Sequence, residues 1–114
     1  MISSLVKAQN LKCSDFKVGT FTIKCTNYEL PITTINRSKK KKKESTDSQN
    51  EIEGAIEWKS ECSYQLIYTK ARPEMIGKKV SVELERIEGQ KAFCKSTFEE
   101  MPGFVLEFEM EKAK

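Results

Sequence analysis

The stretch Lys79-Val80-Ser81-Val82-Glu83-Leu84-Glu85-Arg86-Ile87-Glu88-Gly89-Gln90-Lys91-Ala92-Phe93-Cys94-Lys95-Ser96-Thr97-Phe98 decides the fold class. Val80, Val82 and Leu84 alternate with Ser81, Glu83 and Glu85. That two-residue period belongs to a strand with one dry and one wet face. Glu88-Gly89-Gln90-Lys91 follows as a hairpin turn, with Gly89 free to take positive φ. Ala92 to Phe98 then returns. Two alternating runs joined by a tight turn are an antiparallel pair.

The same period recurs on both sides. Downstream, Met101-Pro102-Gly103 reads as a second tight turn. Phe104, Leu106, Phe108 and Met110 then point inward and Glu107, Glu109 and Glu111 outward. Upstream, Cys62, Tyr64, Leu66 and Tyr68 share one face, after a turn at Ser60-Glu61. Gln49 to Lys59 places Ile56 and Trp58 inward. Tyr28 to Arg37 is a further strand, its first half demoted by Pro31, which cannot donate to a ladder. Phe21, Ile23 and Cys25 share a face near the start, behind a bend at Gly19. No long stretch shows a helical period. The expected fold is all-β, an antiparallel meander of seven or eight strands. Such a meander closes into a small lipocalin-like barrel or, as the alternative, packs as a β-sandwich.

Charge is local in this chain. It has 114 residues, 20 of them Lys or Arg and 17 Asp or Glu, for a formal +3. Five of the 20 form one block, Lys39, Lys40, Lys41, Lys42 and Lys43. Without that block the balance is 15 to 17, so the body is weakly acidic. No aromatic residue accompanies the block, and basic residues are not spread over a face as nucleic-acid wrapping requires. Residues 38–48 read as a mobile, solvated loop that could touch an anionic surface. No nucleic-acid partner is expected.

Histidine is absent. That removes the Ser-His-Asp triad, the Cys-His pair, His-ligated zinc and the histidine pH switch. Glu83, Glu85, Glu107, Glu109 and Glu111 fall on outward faces, where a solvated charge row also discourages edge pairing. Asp15 and Glu61 lie beside cysteines as capping or turn residues. No phosphate loop, metal loop or nucleophile elbow is present. The chain reads as a non-enzyme without cofactor or metal.

The four cysteines, Cys13, Cys25, Cys62 and Cys94, are even in number and widely spaced, with no C-x-x-C pair. In a small chain this reads as two disulfides in an oxidising compartment, with three connectivities open. Four buried, reduced thiols in a cytoplasmic protein are the alternative. At the front, Val6 and Ala8 stand at the −3 and −1 spacing of a signal-peptidase site. Residues 1–8 therefore read as a residual signal-peptide tail or a disordered N-terminus, ahead of a single β domain over 9–114. No apolar run approaches the 18 or so residues of a membrane span.

Two motifs carry a family resemblance. Cys13-Ser14-Asp15-Phe16-Lys17-Val18-Gly19-Thr20-Phe21 resembles the opening of a family of small exported proteins from Bacteroidota. Ile56-Glu57-Trp58-Lys59-Ser60-Glu61-Cys62-Ser63-Tyr64-Gln65-Leu66 is similar to that family's second motif, an aromatic strand ending in Trp, then Cys and Tyr. Arg37 followed by Gln49-Asn50-Glu51 resembles a third, weaker element. The resemblance implies a signal peptide and a Cys13–Cys62 bridge, leaving Cys25 to pair with Cys94. Family members are sometimes labelled as a type II topoisomerase subunit. This chain has neither an ATPase motif nor room for a cleavage domain.

The functional expectation is a periplasmic or secreted binding module, monomeric, holding a small apolar ligand. Phe21, Trp58, Tyr64, Tyr68 and Phe108 would line its cavity, which should open near Trp58 or Tyr64. The rival is a structural or interaction protein of the envelope, with a packed core and the Lys39 to Lys43 loop against an anionic surface or an envelope protein.

Overall fold

The computed structural model describes residues 11–38, 43–46 and 52–113. Eight antiparallel strands follow one another: β1 (Gly19–Cys25), β2 (Thr33–Ser38), β3 (Lys43–Thr46), β4 (Glu53–Ser60), β5 (Ser63–Lys70), β6 (Lys79–Glu88), β7 (Lys91–Phe98) and β8 (Met101–Lys112). Each pairs with its sequence neighbours, and β8 pairs back onto β1, with Phe21 opposite Lys112 and Cys25 opposite Phe108. The seven longer strands make one continuous curled sheet in the order β4-β5-β6-β7-β8-β1-β2. The four-residue β3 bridges its two edges and completes the ring. This is an up-and-down barrel, not a two-sheet sandwich. Closure pairs the backbone polar groups that an open sheet would leave at its edges.

Alternation holds on nearly every strand. Val80, Val82 and Leu84, and Ala92, Cys94 and Ser96, are buried, while Ser81, Glu83, Lys95 and Thr97 are exposed. Gly89 makes the hairpin turn with φ 63°. One bulge corrects the pattern on β6. Leu84 faces Cys94 but Arg86 faces Phe93, so Glu85 is the extra residue. The shift lets both Leu84 and Ile87 reach the core.

Several boundaries differ from the sequence reading. Residues 28–32 are not strand; β2 begins at Thr33, and Leu30 and Ile32 stay exposed. The chain turns at Glu99-Glu100, and Met101-Pro102-Gly103 already belongs to β8. A register shift there puts Met101 opposite Phe98 while Val105 faces Thr97. The missing Pro102 donor is tolerated at such a bulge. Ser38 and Lys43–Thr46, read as loop, pair as strands; residues 39–42 and 47–48 of that loop, and the predicted N-terminal tail 1–8, lie outside the described residues.

The two ends of the barrel are unlike. At one end the segment from Leu11 to Val18 folds across the opening. Its 3-10 turn, Cys13–Phe16, begins with the Lys12 N–H donating to the Asp15 carboxylate at 2.7 Å, the capping role read for Asp15. Four contacts hold it. Leu11 N–H donates to Gly89 O, Lys112 Nζ to Asp15 O, and Arg37 Nη1 to Phe16 O, while Cys13 is bonded to Cys62. Phe16 is fully buried and stacks on fully buried Phe21 at 5.5 Å between ring centres. Burying two such rings is worth about 3–6 kcal/mol. The other end, where β1–β2, β5–β6 and β7–β8 connect, has no comparable cover among the described residues.

Candidate functional site

A cavity of about 390 Å³ occupies the half of the barrel away from the cap. Its walls are inward side chains, among them Ile23, Leu66, Val80, Phe98, Leu106 and Phe108. Tyr64 and Ile35 bound it toward the capped end, and Leu30 and Pro31 of the β1–β2 connection border the mouth. The polar groups on it are few: Thr33, Tyr64, Tyr68, Ser96 and the Cys25 thiol. No charged side chain lines it among the described residues.

The mouth is unusually apolar. Tyr28, Leu30, Ile32, Ile76 and Met101 are each about half exposed or more, and all lie at this end. Val18, at the capped end, is the other large exposed apolar residue described. Tyr28 packs on Phe104, and Phe104 on Phe98, at centroid separations of 5.4 and 5.5 Å. Asn27 fixes the β1–β2 connection to β8: its Nδ2 donates to Val105 O and its Oδ1 accepts from Glu107 N–H, both at 3.0 Å. Apolar side chains are thus presented to solvent around a pinned opening.

Of the five residues expected to line a cavity, Tyr64, Tyr68 and Phe108 do so. Phe21 and Trp58 do not. Phe21 is sealed under the cap by Phe16. Trp58 pairs with Tyr64 across β4 and β5, its ring 4.9 Å from the tyrosine's and beneath Lys17 Nζ at 5.1 Å. Parity assigned both to the inner face correctly. It carried no information on height along the barrel axis: of the two residues near which the opening was expected, Tyr64 lies on the cavity wall and Trp58 does not, and Leu30 and Pro31 border the mouth.

The floor of the cavity rests on Arg37, which the sequence reading did not place in the core. It is 4% exposed, on the same face of β2 as Ile35. Its guanidinium donates to Phe16 O at 2.7 Å and to Tyr64 Oη at 2.6 Å, and lies over the rings of Phe21 and Tyr64. Planar donors and aromatic faces suit a guanidinium taken out of water. The clue was the spacing Thr33, Ile35, Arg37. Ser96 was missed in the same way, although it shares a face with Ala92 and Cys94.

The cysteines divide. Cys13–Cys62 is bonded, as the resemblance implied. Cys25 and Cys94 are free thiols, which corrects the second expected bridge. Both sit opposite Phe108, one on each side of β8. They are therefore two strand spacings apart, about 10 Å, beyond the ~7 Å limit between bridged Cα atoms. Cys25 is half-buried on the cavity wall, and its thiol donates to Asn27 Oδ1 at 3.4 Å. Cys94 is buried, and its pKa is pushed up to about 12 by desolvation, with Arg37 opposing and Glu85 adding to the rise.

A second concavity, about 540 Å³, lies over outward residues including Ser81, Glu83, Lys95 and Glu107. It is a charged, open sheet surface, which suits water better than a ligand. Lys39 to Lys42 lie outside the described residues, and Lys43 opens β3. Among the described residues no three Cys, Asp or Glu side chains converge as metal ligands, and no helix is long and apolar enough to cross a membrane.

No protein-family model, curated protein or solved structure matches this chain.

Proposed function

We propose that this chain is an exported, non-enzymatic binding module that holds a small apolar ligand in the end of its barrel opposite the cap. The observation that carries the reading is the 390 Å³ apolar cavity beside exposed Leu30, Ile32 and Tyr28. Pockets for small molecules occupy about 300–1,000 Å³ and are mostly apolar with a few placed polar groups. An apolar rim gives an apolar ligand a path that avoids charged surface. The Cys13–Cys62 bond supports an oxidising destination, the periplasm or the exterior.

The test is binding of N-phenyl-1-naphthylamine, whose fluorescence rises in apolar surroundings. Saturable binding is expected. Leu106→Trp, which fills the cavity from β8, and Thr33→Trp, at the mouth, should each weaken it at least about tenfold while the far-ultraviolet spectrum keeps its β form. Binding that survives both variants places the probe elsewhere and ends the reading.

A further inference from the structure

Ser96 sits at the middle of β7 with Val82 opposite on one side and Leu106 on the other. It is 3% exposed and lines the cavity. Its side chain has no hydrogen-bond partner among the described residues. Yet no sealed side-chain polar atom there is left unpaired. Both statements hold only if the hydroxyl touches the cavity space itself. A buried hydroxyl in an apolar wall is costly unless something bonds it. Among the described residues nothing bonds it, and the cavity it lines is where a partner can reach it.

We propose that the ligand is an elongated apolar molecule carrying one uncharged hydroxyl or carbonyl group, which hydrogen-bonds Ser96 while its apolar body runs toward Leu30 and the mouth. The inference rests on the cavity reading above. The lining argues for the missing charge. An ionised head would find no charged side chain on these walls, and burying an uncompensated ion is prohibitive. The size follows from the volume. At ~30 Å³ per water-sized group, 390 Å³ takes a chain of about 13 such groups. A medium-chain alcohol, aldehyde or ester fits; a sugar phosphate or a fatty-acid anion does not.

The experiment is displacement of N-phenyl-1-naphthylamine by decan-1-ol, decane and decanoate at pH 8, in the full chain and in Ser96→Ala. Removing one neutral hydrogen bond should weaken decan-1-ol about three- to tenfold relative to decane in Ser96→Ala. In the unaltered chain decanoate should compete far less well than decan-1-ol. Equal losses for decan-1-ol and decane, or none for either, would mean that water satisfies Ser96 and the head-group assignment is wrong. Decanoate competing as well as the alcohol would overturn the uncharged class. If the probe itself fails to bind the unaltered chain, the cavity reading falls first and this proposal with it.

Discussion

Arg37 donates from Nη2 to Tyr64 Oη at 2.6 Å, joining the capped end of the barrel to the floor of the cavity. The same guanidinium holds Phe16 O in the cap. Tyr64→Phe removes an acceptor from a buried cation and should cost about 1.5–3 kcal/mol. Arg37→Met with Tyr64→Phe should cost less than the two single changes summed, because an apolar pair leaves no buried charge short of a partner. Urea unfolding of the four-protein cycle measures the coupling. Costs that add to within about 0.3 kcal/mol would show that the two side chains are independent.

The Cys13–Cys62 bond closes a loop with a sequence separation of 49. In the chain-entropy account such a loop contributes about 4 kcal/mol. Cys13→Ser with Cys62→Ser should lower stability by up to that amount. The loss should centre on the cap, seen as faster hydrogen exchange at Asp15 and Lys17, whose amides bond within it, and at Leu11, whose amide ties it to Gly89 O. Unchanged exchange there would show that Arg37 and Lys112 hold the cap without the bridge.

Gly54 faces Leu66 closely. A Cβ built on Gly54 would lie 2.6 Å from Leu66 Cδ1 and 3.2 Å from Ile67 O. Leu66 is also a wall of the cavity. Gly54→Ala should push the leucine into the cavity, destabilise by about 1–3 kcal/mol and weaken N-phenyl-1-naphthylamine. Pairing it with Leu66→Val should recover both. A single variant as stable as the parent would mean that the strands separate easily at this point.

The two free thiols should react differently. Cys25 opens on the cavity, so N-ethylmaleimide should add once to the folded protein, at Cys25, and decan-1-ol should slow that addition. Intact mass and peptide mapping give the count and the place. Labelling of Cys94 before unfolding would contradict its burial.

Cys94 also makes stability depend on alkaline pH. Its folded pKa of about 12 lies above the ordinary thiol value of 9.0. The folded state therefore holds the proton longer. The contribution is complete below pH 9 and is lost as pH rises from 9 toward 12, by about 1 kcal/mol between pH 9 and 10. Urea midpoints at pH 8, 9 and 10 should fall in a Cys25→Ser background, chosen to prevent thiol exchange. Adding Cys94→Ala should flatten the slope. An equal slope in both proteins would assign the alkaline loss to other groups.

Much of the barrel was written in the alternation. Val80, Val82, Leu84 and their β7 partners were legible because a pleated strand gives each residue one of two faces, and burial sorts apolar from charged. Pro31 rightly marked the segment before β2 as unfit for a ladder. β3 was not legible: Lys43-Glu44-Ser45-Thr46 has no apolar residue to betray a strand. Arg37 and Ser96 were illegible for the opposite reason. Polar side chains on an inner face break the pattern by which inner faces are recognised.

Parity along each strand, the turns between strands and the absence of histidine are local properties, so the sequence alone determined the all-β meander. Which inward residues share a level depends on how eight strands are staggered around a closed ring, and no single strand encodes that. Only the tertiary structure could put Phe21 and Trp58 under the cap, Tyr68 and Phe108 in the cavity, and Cys25 and Cys94 on opposite sides of β8, too far apart to bond.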